Sequence, residues 1–211
     1  MTIHEVIHIL AQEYGARHWH RHRDPVSELI LTILSQNTSD ANTERAFSSL
    51  LAAFGNWEAV ADGDVAGIAQ AIRAGGLSQI KAARIKLVLQ QIQKERGSLD
   101  LEFLSQLPIA QAKAWLRQLP GVGPKTANCV LLFSLGKPAL PVDTHLYRVA
   151  TRLGLIDSNV SVERAHEMLE GIVPSQSIYE FHINMIEHGR RVCRARNPKC
   201  GECVLREGCQ W

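Results

Sequence analysis

The sequence predicts an all-α protein, and three observations carry that expectation. Apolar residues recur at helical spacing in run after run, as at Leu29, Ile30, Ile33 and Leu34. The runs are bounded by residues that start or stop helices, such as Asp24-Pro25, Asp40 and Gly136. No stretch shows the strict alternation of a half-buried strand, and there is neither an internal repeat nor a low-complexity tract. With 211 residues, 45% of them hydrophobic and 21% charged, the chain suits one large or two small globular domains and not a disordered segment. A net charge of +2 is too small to attract nucleic acid by itself, so any such site must come from local clustering.

The first run, Met1 to Tyr14, places Ile3, Val6, Ile7 and Leu10 on one face with His and Glu between them. This is an amphipathic helix, not a secretory leader. No apolar run approaches the roughly 20 residues that a bilayer requires. An intracellular, cytoplasmic protein is expected, nucleoid-associated if the source is bacterial. Next comes the connector Arg17-His18-Trp19-His20-Arg21-His22-Arg23. Its histidines lack a thiol or carboxylate to complete a metal site, so it reads as a solvated basic linker with some affinity for phosphate.

From Val26 a buried-helix pattern runs to Leu34 and breaks at Ser35-Gln36-Asn37-Thr38-Ser39-Asp40; Ala41 to Phe54 resumes as a helix with Asp40 as its cap. The amide-rich break can be a simple turn, and it can also fill a gap in a base stack. Helices are expected at about Glu58 to Ala61, Val65 to Ile72 and Ser78 to Glu95, with a sharp turn at Gly75-Gly76. Leu77 follows that turn and can be a core residue, the commoner outcome, or an exposed wedge. Leu101 to Leu107 reads as one more short helix.

The chain is organised around Leu119-Pro120-Gly121-Val122-Gly123-Pro124-Lys125-Thr126-Ala127-Asn128. Helices predicted from Ala110 to Gln118 and from Thr126 to Leu135 flank it, giving helix, hairpin, helix. Gly121 and Gly123 can take backbone angles closed to other residues, and Pro124 suits a first helical position. A hairpin that opens onto a helix start favours phosphate through its N–H groups and the macrodipole. Lys125 lies in the first turn of that helix, where the dipole lowers an ammonium's pKa, as nucleophilic work requires. Asp143, in Val142-Asp143-Thr144-His145, reads as the cap of a helix from Thr144 to Leu153. A helix over residues 124 to 135 spans about 18 Å. Eight extended residues then cover up to roughly 27 Å, so Asp143 can return to the lysine end. Taken singly, a glycine turn, a first-turn lysine and a capping aspartate are usually structural; their combination points to a site.

Helices are also expected from Val162 to Ile172 and from Ser177 to Gly189. Beyond them Arg190, Arg191, Arg194, Arg196 and Lys199 put five basic residues into ten positions without an acid. Four of the five cysteines, Cys193, Cys200, Cys203 and Cys209, form a C-x6-C-x2-C-x5-C array within seventeen residues. Disulfides are unexpected in an intracellular protein, so the thiols point to metal: tetrahedral zinc or an iron–sulfur cluster. Only one close pair is present, where zinc ribbons usually have two, and the spacing favours the cluster. Cys129, among apolar neighbours, reads as a small core residue.

The hairpin segment, the Val142–His145 segment and the cysteine loop together resemble the endonuclease III family over nearly the whole chain. That family comprises helix-hairpin-helix DNA glycosylases and AP lyases carrying a [4Fe-4S] cluster. The resemblance implies a two-domain helix-hairpin-helix DNA glycosylase fold with a C-terminal iron–sulfur cluster loop. It places a six-helix domain at residues 25–137 and a helical cluster domain at residues 1–24 plus 138–211, with a catalytic cleft between them. By the same resemblance Lys125 attacks C1′ of a damaged nucleotide and forms a Schiff base, and Asp143 assists it. Gln36 and Leu77 enter the duplex when a base is flipped. Gly121, Val122, Gly123, Thr126, His145, Arg194, Arg196 and Lys199 fall in the family's DNA-binding segments, and Cys193, Cys200, Cys203 and Cys209 are its cluster ligands. The implied partner is double-stranded DNA carrying damaged bases or abasic sites, engaged by a monomer.

Departures from the family bear on substrate. Pro124 replaces the usual basic residue before the lysine, and SQNTSD stands where SAQATD is commoner. Adenine-removing relatives would have glutamate in place of Thr32 and lack Lys125, and thymine-mismatch relatives usually lack this lysine too. The expectation is a glycosylase and lyase for oxidised pyrimidines. The alternatives are a glycosylase of the same fold for mismatches or other lesions, and a non-catalytic iron–sulfur protein that binds damaged DNA.

Overall fold

The computed structural model describes residues 1–211 and contains helices and connecting segments only. It divides into two compact units, one formed by Arg21–Leu135 and the other by Met1–His20 with Gly136–Trp211.

The Arg21–Leu135 unit is built around α2 (Pro25–Leu34). Asp24 caps α2, its carboxylate accepting from Ser27 N at 2.9 Å, and Pro25 takes the first position, where a missing N–H costs nothing. Nine of its ten residues are buried, the mark of a helix enclosed on all sides. Around it pack α3 (Asp40–Phe54), α6 (Ser78–Arg96) and the helix that follows the hairpin. Leu29, Ile30, Ile33 and Leu34 are fully buried, each worth about 1.5–3 kcal/mol relative to exposure. The short helices α4 (Trp57–Asp62) and α5 (Val65–Ala71) lie against α6, and α7 (Ile109–Arg117) leads into the hairpin.

In the other unit α11 (Ile178–Arg191) is central, packing against α1 (Ile3–Tyr14) and α9 (Thr144–Arg152), with α10 (Val162–Ile172) completing the set. Thr2 and Glu5 cap α1 reciprocally. Gly189 allows α9 to approach closely, since a Cβ there would stand 3.0 Å from His145 Cβ. No helix is long and apolar enough to cross a membrane.

Three expectations need correction. Ser39, not Asp40, caps α3, because Ser39 Oγ accepts from Asn42 N at 3.3 Å and Asp40 is already helical. The segment after Leu101 is a 3-10 turn, Glu102–Gln106. The helix after the hairpin is α-helical only over α8 (Pro124–Cys129) and continues as a π turn, Val130–Ser134. There Phe133 O accepts from His22 N at 3.0 Å and its ring stacks on His22 at 4.7 Å. The connector is exposed from Arg17 to His22, as expected of a solvated linker, and it is also tethered by ion pairs. Arg17 pairs with Glu187 at 3.1 Å, Arg21 with Glu102, and Arg23 with Glu44 at 2.9 Å.

Candidate functional site

In the Arg21–Leu135 unit the hairpin is fixed from both sides. Val122 is buried and its N–H donates to Leu119 O at 3.1 Å, so it anchors the turn. Gly121 has φ +71, and a Cβ there would lie 2.3 Å from Arg84 Nε, so glycine is required for both angle and space. Gly123 differs from expectation. Its φ is −89, ordinary for any residue, and nothing lies within 4 Å of a Cβ built on it. What it offers is open, exposed backbone at the start of α8, which no side chain caps. Pro124 and Lys125 follow, both half-buried, and Thr126 turns inward and is buried.

Glu28 was not singled out by the sequence, yet its residue is only 5% exposed and its Oε2 has no hydrogen-bond partner. Burial pushes this carboxyl up to about 7, against the opposing pull of Arg23 and Lys125. Thus α2, packed on α8, places a protonatable group within electrostatic reach of Lys125. Thr32 stands on the same helix face one turn later and is buried.

Gln36 and Leu77 occupy two loops of this same unit. Gln36 Oε1 accepts from Arg84 NH1 at 2.7 Å, and the same guanidinium lies over Gly121. Leu77 is 52% exposed at φ +48, so of the two readings of its position the core is excluded. Lys81, only 2% exposed, joins the loops: its ammonium donates to Leu34 O at 2.7 Å and to Gly75 O at 2.8 Å. Burial lowers the Lys81 pKa. A lysine within a helix is ordinarily solvated, so only the fold reveals this one.

In the Met1–His20 and Gly136–Trp211 unit, Asp143 caps α9 as expected, Oδ1 accepting from Leu146 N at 2.7 Å. The segment before it is pinned by three side chains. Leu140 N donates to Glu170 Oε2 at 2.9 Å, Val142 N donates to His166 Nε2 at 3.1 Å, and His182 Nδ1 donates to Pro141 O at 2.9 Å. His145 is half-buried, with Nδ1 accepting from Arg148 NH2 at 3.2 Å.

The cysteine loop lies beside α9 and α11. Arg148 donates to Cys193 O at 2.9 Å, and Arg152 to Cys193 Sγ at 3.3 Å and Arg194 O at 2.8 Å, with Trp211 stacked 4.1 Å over the Arg152 guanidinium. Tyr14 Oη and His188 Nδ1 share a hydrogen bond of 2.9 Å, and His188 Nε2 lies 3.5 Å from Cys203 Sγ. Burial lowers His188 to about 4 and pushes Tyr14 up to about 12, so both are neutral near pH 7. All four thiols border one cavity of about 280 Å³. Four thiols bordering one such space, with the Arg152 N–H donating to one of them, fit the thiolate ligand set of a cluster. Arg190, Arg191, Arg194, Arg196 and Lys199 are all exposed; Lys199 pairs with Glu202 at 3.0 Å and Arg191 with Glu187 at 3.1 Å.

Residues 30–175 match the HhH-GPD superfamily of base excision DNA repair proteins, and residues 193–209 match the iron-sulfur binding domain of endonuclease III. Endonuclease III of Thermotoga maritima is 34% identical over 192 residues, 91% of this chain and 85% of that protein. The chain belongs to the endonuclease III family. The Escherichia coli K12 enzyme is 32% identical over 191 residues, 89% of this chain and 84% of its own length. A solved endonuclease III–DNA complex of the non-covalent kind superposes with a TM-score of 0.84 at 30% identity, covering 99% of this chain and 94% of that one. The chain also matches, at 38% identity over 77% of its length, an Arabidopsis thaliana protein named as a DNA glycosylase, of which it spans 55%. Members of the endonuclease III family are DNA glycosylases with AP lyase activity, and this protein is an enzyme of base excision repair. The family's [4Fe-4S] cluster is its cofactor.

Proposed function

We propose that the protein acts on duplex DNA carrying damaged pyrimidines, oxidised ones foremost, or abasic sites, as a bifunctional glycosylase and AP lyase with one nucleophile, Lys125. The observation that carries this reading is the placement of Lys125: half-buried in the first turn of α8, directly after an exposed, uncapped hairpin backbone. The hairpin amides hold a phosphate of the strand without reading its sequence. Extruding the damaged nucleotide costs a few kcal/mol, and side chains from the Gln36 and Leu77 loops refill the stack. Leu77, exposed and held in a left-handed turn, suits a wedge.

The neutral Lys125 amine forms a bond to C1′ as the bond from C1′ to the base breaks, the electron pair leaving with the base, which takes up a proton. Asp143, fixed as a helix cap, stabilises positive charge on the sugar. Opening of the sugar ring gives a Schiff base between Lys125 and C1′. Loss of a C2′ proton then expels the 3′ phosphate by β-elimination, and water releases the lysine. Arg194, Arg196 and Lys199 of the cysteine loop add phosphate contacts. Cys193, Cys200, Cys203 and Cys209 would hold the [4Fe-4S] cluster, which when bound ties this loop into a fixed shape.

Strand cleavage of an abasic-site duplex tests the reading. The intact protein should leave an unsaturated aldehyde at the 3′ end, and Lys125→Ala should cleave at least a hundredfold more slowly. Normal cleavage by Lys125→Ala would refute the assignment. A panel of single-lesion duplexes then identifies the base removed.

A further inference from the structure

The proposed chemistry has a proton to place. Lys125 attacks only as the neutral amine, and an unperturbed lysine, with a pKa of about 10.4, is neutral in roughly one copy in a few thousand at pH 7. A group close to it must accept the proton, and α2 supplies a candidate that the expected family roles do not use. Glu28 sits in the first turn of a helix enclosed on every side, and its Oε2 is buried without a hydrogen-bond partner. Buried carboxylate oxygens are normally satisfied, so an open one marks either a protonated acid or a site of proton exchange.

We propose that Glu28 is the proton acceptor for Lys125, taking one proton from the ammonium so that the amine can attack C1′. The inference rests on Lys125 being the nucleophile. The exchange is balanced: carboxylate and ammonium become carboxylic acid and amine, and the pair's net charge does not change. Burial of Glu28 favours this direction, because the group that gains the proton is a desolvated carboxylate. Glu28 acts on the substrate only through Lys125.

The other acids near Glu28 are engaged elsewhere. The elements packed on α2 are α3, α6, α8 and the π turn. The charges felt at Glu28 are Arg23, Lys125, Glu44 and Asp24. Of these, Glu44 is paired with Arg23 at 2.9 Å and Asp24 is engaged as the α2 cap. On α6, the Lys81 ammonium is held by the Leu34 and Gly75 carbonyls at the opposite end of α2. Desolvation, which raises the Glu28 carboxyl to about 7, makes it a stronger proton acceptor than an ordinary glutamate at 4.5.

The test is the rate of borohydride trapping on an abasic-site duplex, followed from about pH 5.5 to 8.5, for the intact protein, Glu28→Gln and Glu28→Asp. Gln is a neutral isostere of the protonated acid. Glu28→Gln should match the intact protein at the acid end, where Glu28 is itself protonated, and trap at least tenfold more slowly at the alkaline end. Glu28→Asp should keep the rise through neutrality. A Glu28→Gln rate that tracks the intact protein at every pH would overturn the proposal, because a merely structural neutral Glu28 is replaced by Gln without loss. If the intact protein does not trap, or if Lys125→Ala traps equally well, the lyase assignment itself fails. A titration by carbon NMR reads the coupling directly: removing the lysine charge in Lys125→Met should move the Glu28 midpoint upward, and an unmoved midpoint would contradict the pairing.

Discussion

Lys81 donates from its buried ammonium to Leu34 O at 2.7 Å, and the same nitrogen reaches Gly75 O at 2.8 Å. One side chain thereby fixes the end of α2 from which Gln36 projects and the turn from which Leu77 projects. Lys81→Met keeps the length of the stem and removes both donors, leaving two carbonyls unsatisfied at about 1–3 kcal/mol each. Chemical denaturation should show a loss of about 2–4 kcal/mol. A loss below the usual scatter of surface substitutions would contradict the role assigned to Lys81.

The two hairpin glycines should behave differently. Gly121→Ala forces a left-handed residue and collides with Arg84, so it should lower stability by about 1–2 kcal/mol. Gly123→Ala meets neither obstacle and should stay within about 0.5 kcal/mol of the parent. Its methyl group stands on exposed backbone, and affinity for duplex DNA should fall while the melting temperature does not. Equal destabilisation by the two would show that Gly123 has a conformational role absent from this structure.

Glu28 gives stability a pH dependence whose sign is fixed. Its folded-state pKa of about 7 lies above the ordinary glutamate value of 4.5, so between these values the folded chain holds more proton than the unfolded one. The stability it contributes is present below about 4.5 and is lost as pH rises toward 7. Glu28→Gln should equal the parent near pH 4 and exceed it near pH 8 by about 2–3 kcal/mol. Denaturation curves at the two pH values check this. The same substitution is expected to slow trapping, so a more stable, less active variant is the signature.

The cysteine loop should depend on Arg152 more than on its own surface charges. Arg152 donates to Cys193 Sγ and Arg194 O beneath Trp211, whereas Arg196 is exposed. Iron and sulfide analysis with visible absorption should find Arg152→Ala depleted of cluster and Arg196→Ala fully loaded. Arg196→Ala should instead weaken DNA binding and reduce its salt dependence by about one phosphate contact. Full loading of Arg152→Ala would remove that residue from the account.

Much of this was legible in the sequence because it is local. The 3-to-4 spacing of Leu29, Ile30, Ile33 and Leu34 gives α2, and the Asp143 cap lies three residues from the amide it accepts. The cysteine spacing is likewise contained in one short segment. What escaped reading depends on pairings far apart in the chain. Lys81 meets Leu34 across 47 residues and Arg84 meets Gln36 across 48, and no local pattern announces either contact. Glu28 looks like a routine first-turn acid until α2 is seen to be buried on all sides. Leu77 was ambiguous because its left-handed backbone is set by the turn and not by its own preference. Ser39 displaced Asp40 as a cap by one residue, since both side chains suit the position.

The most direct test of the account is to reduce the protein onto an abasic-site duplex with borohydride, digest the adduct and map the modified peptide by mass spectrometry. The account predicts a single modified residue, Lys125, and no adduct with Lys125→Ala. An adduct at another amine, or none with the intact, cluster-loaded protein, would contradict it.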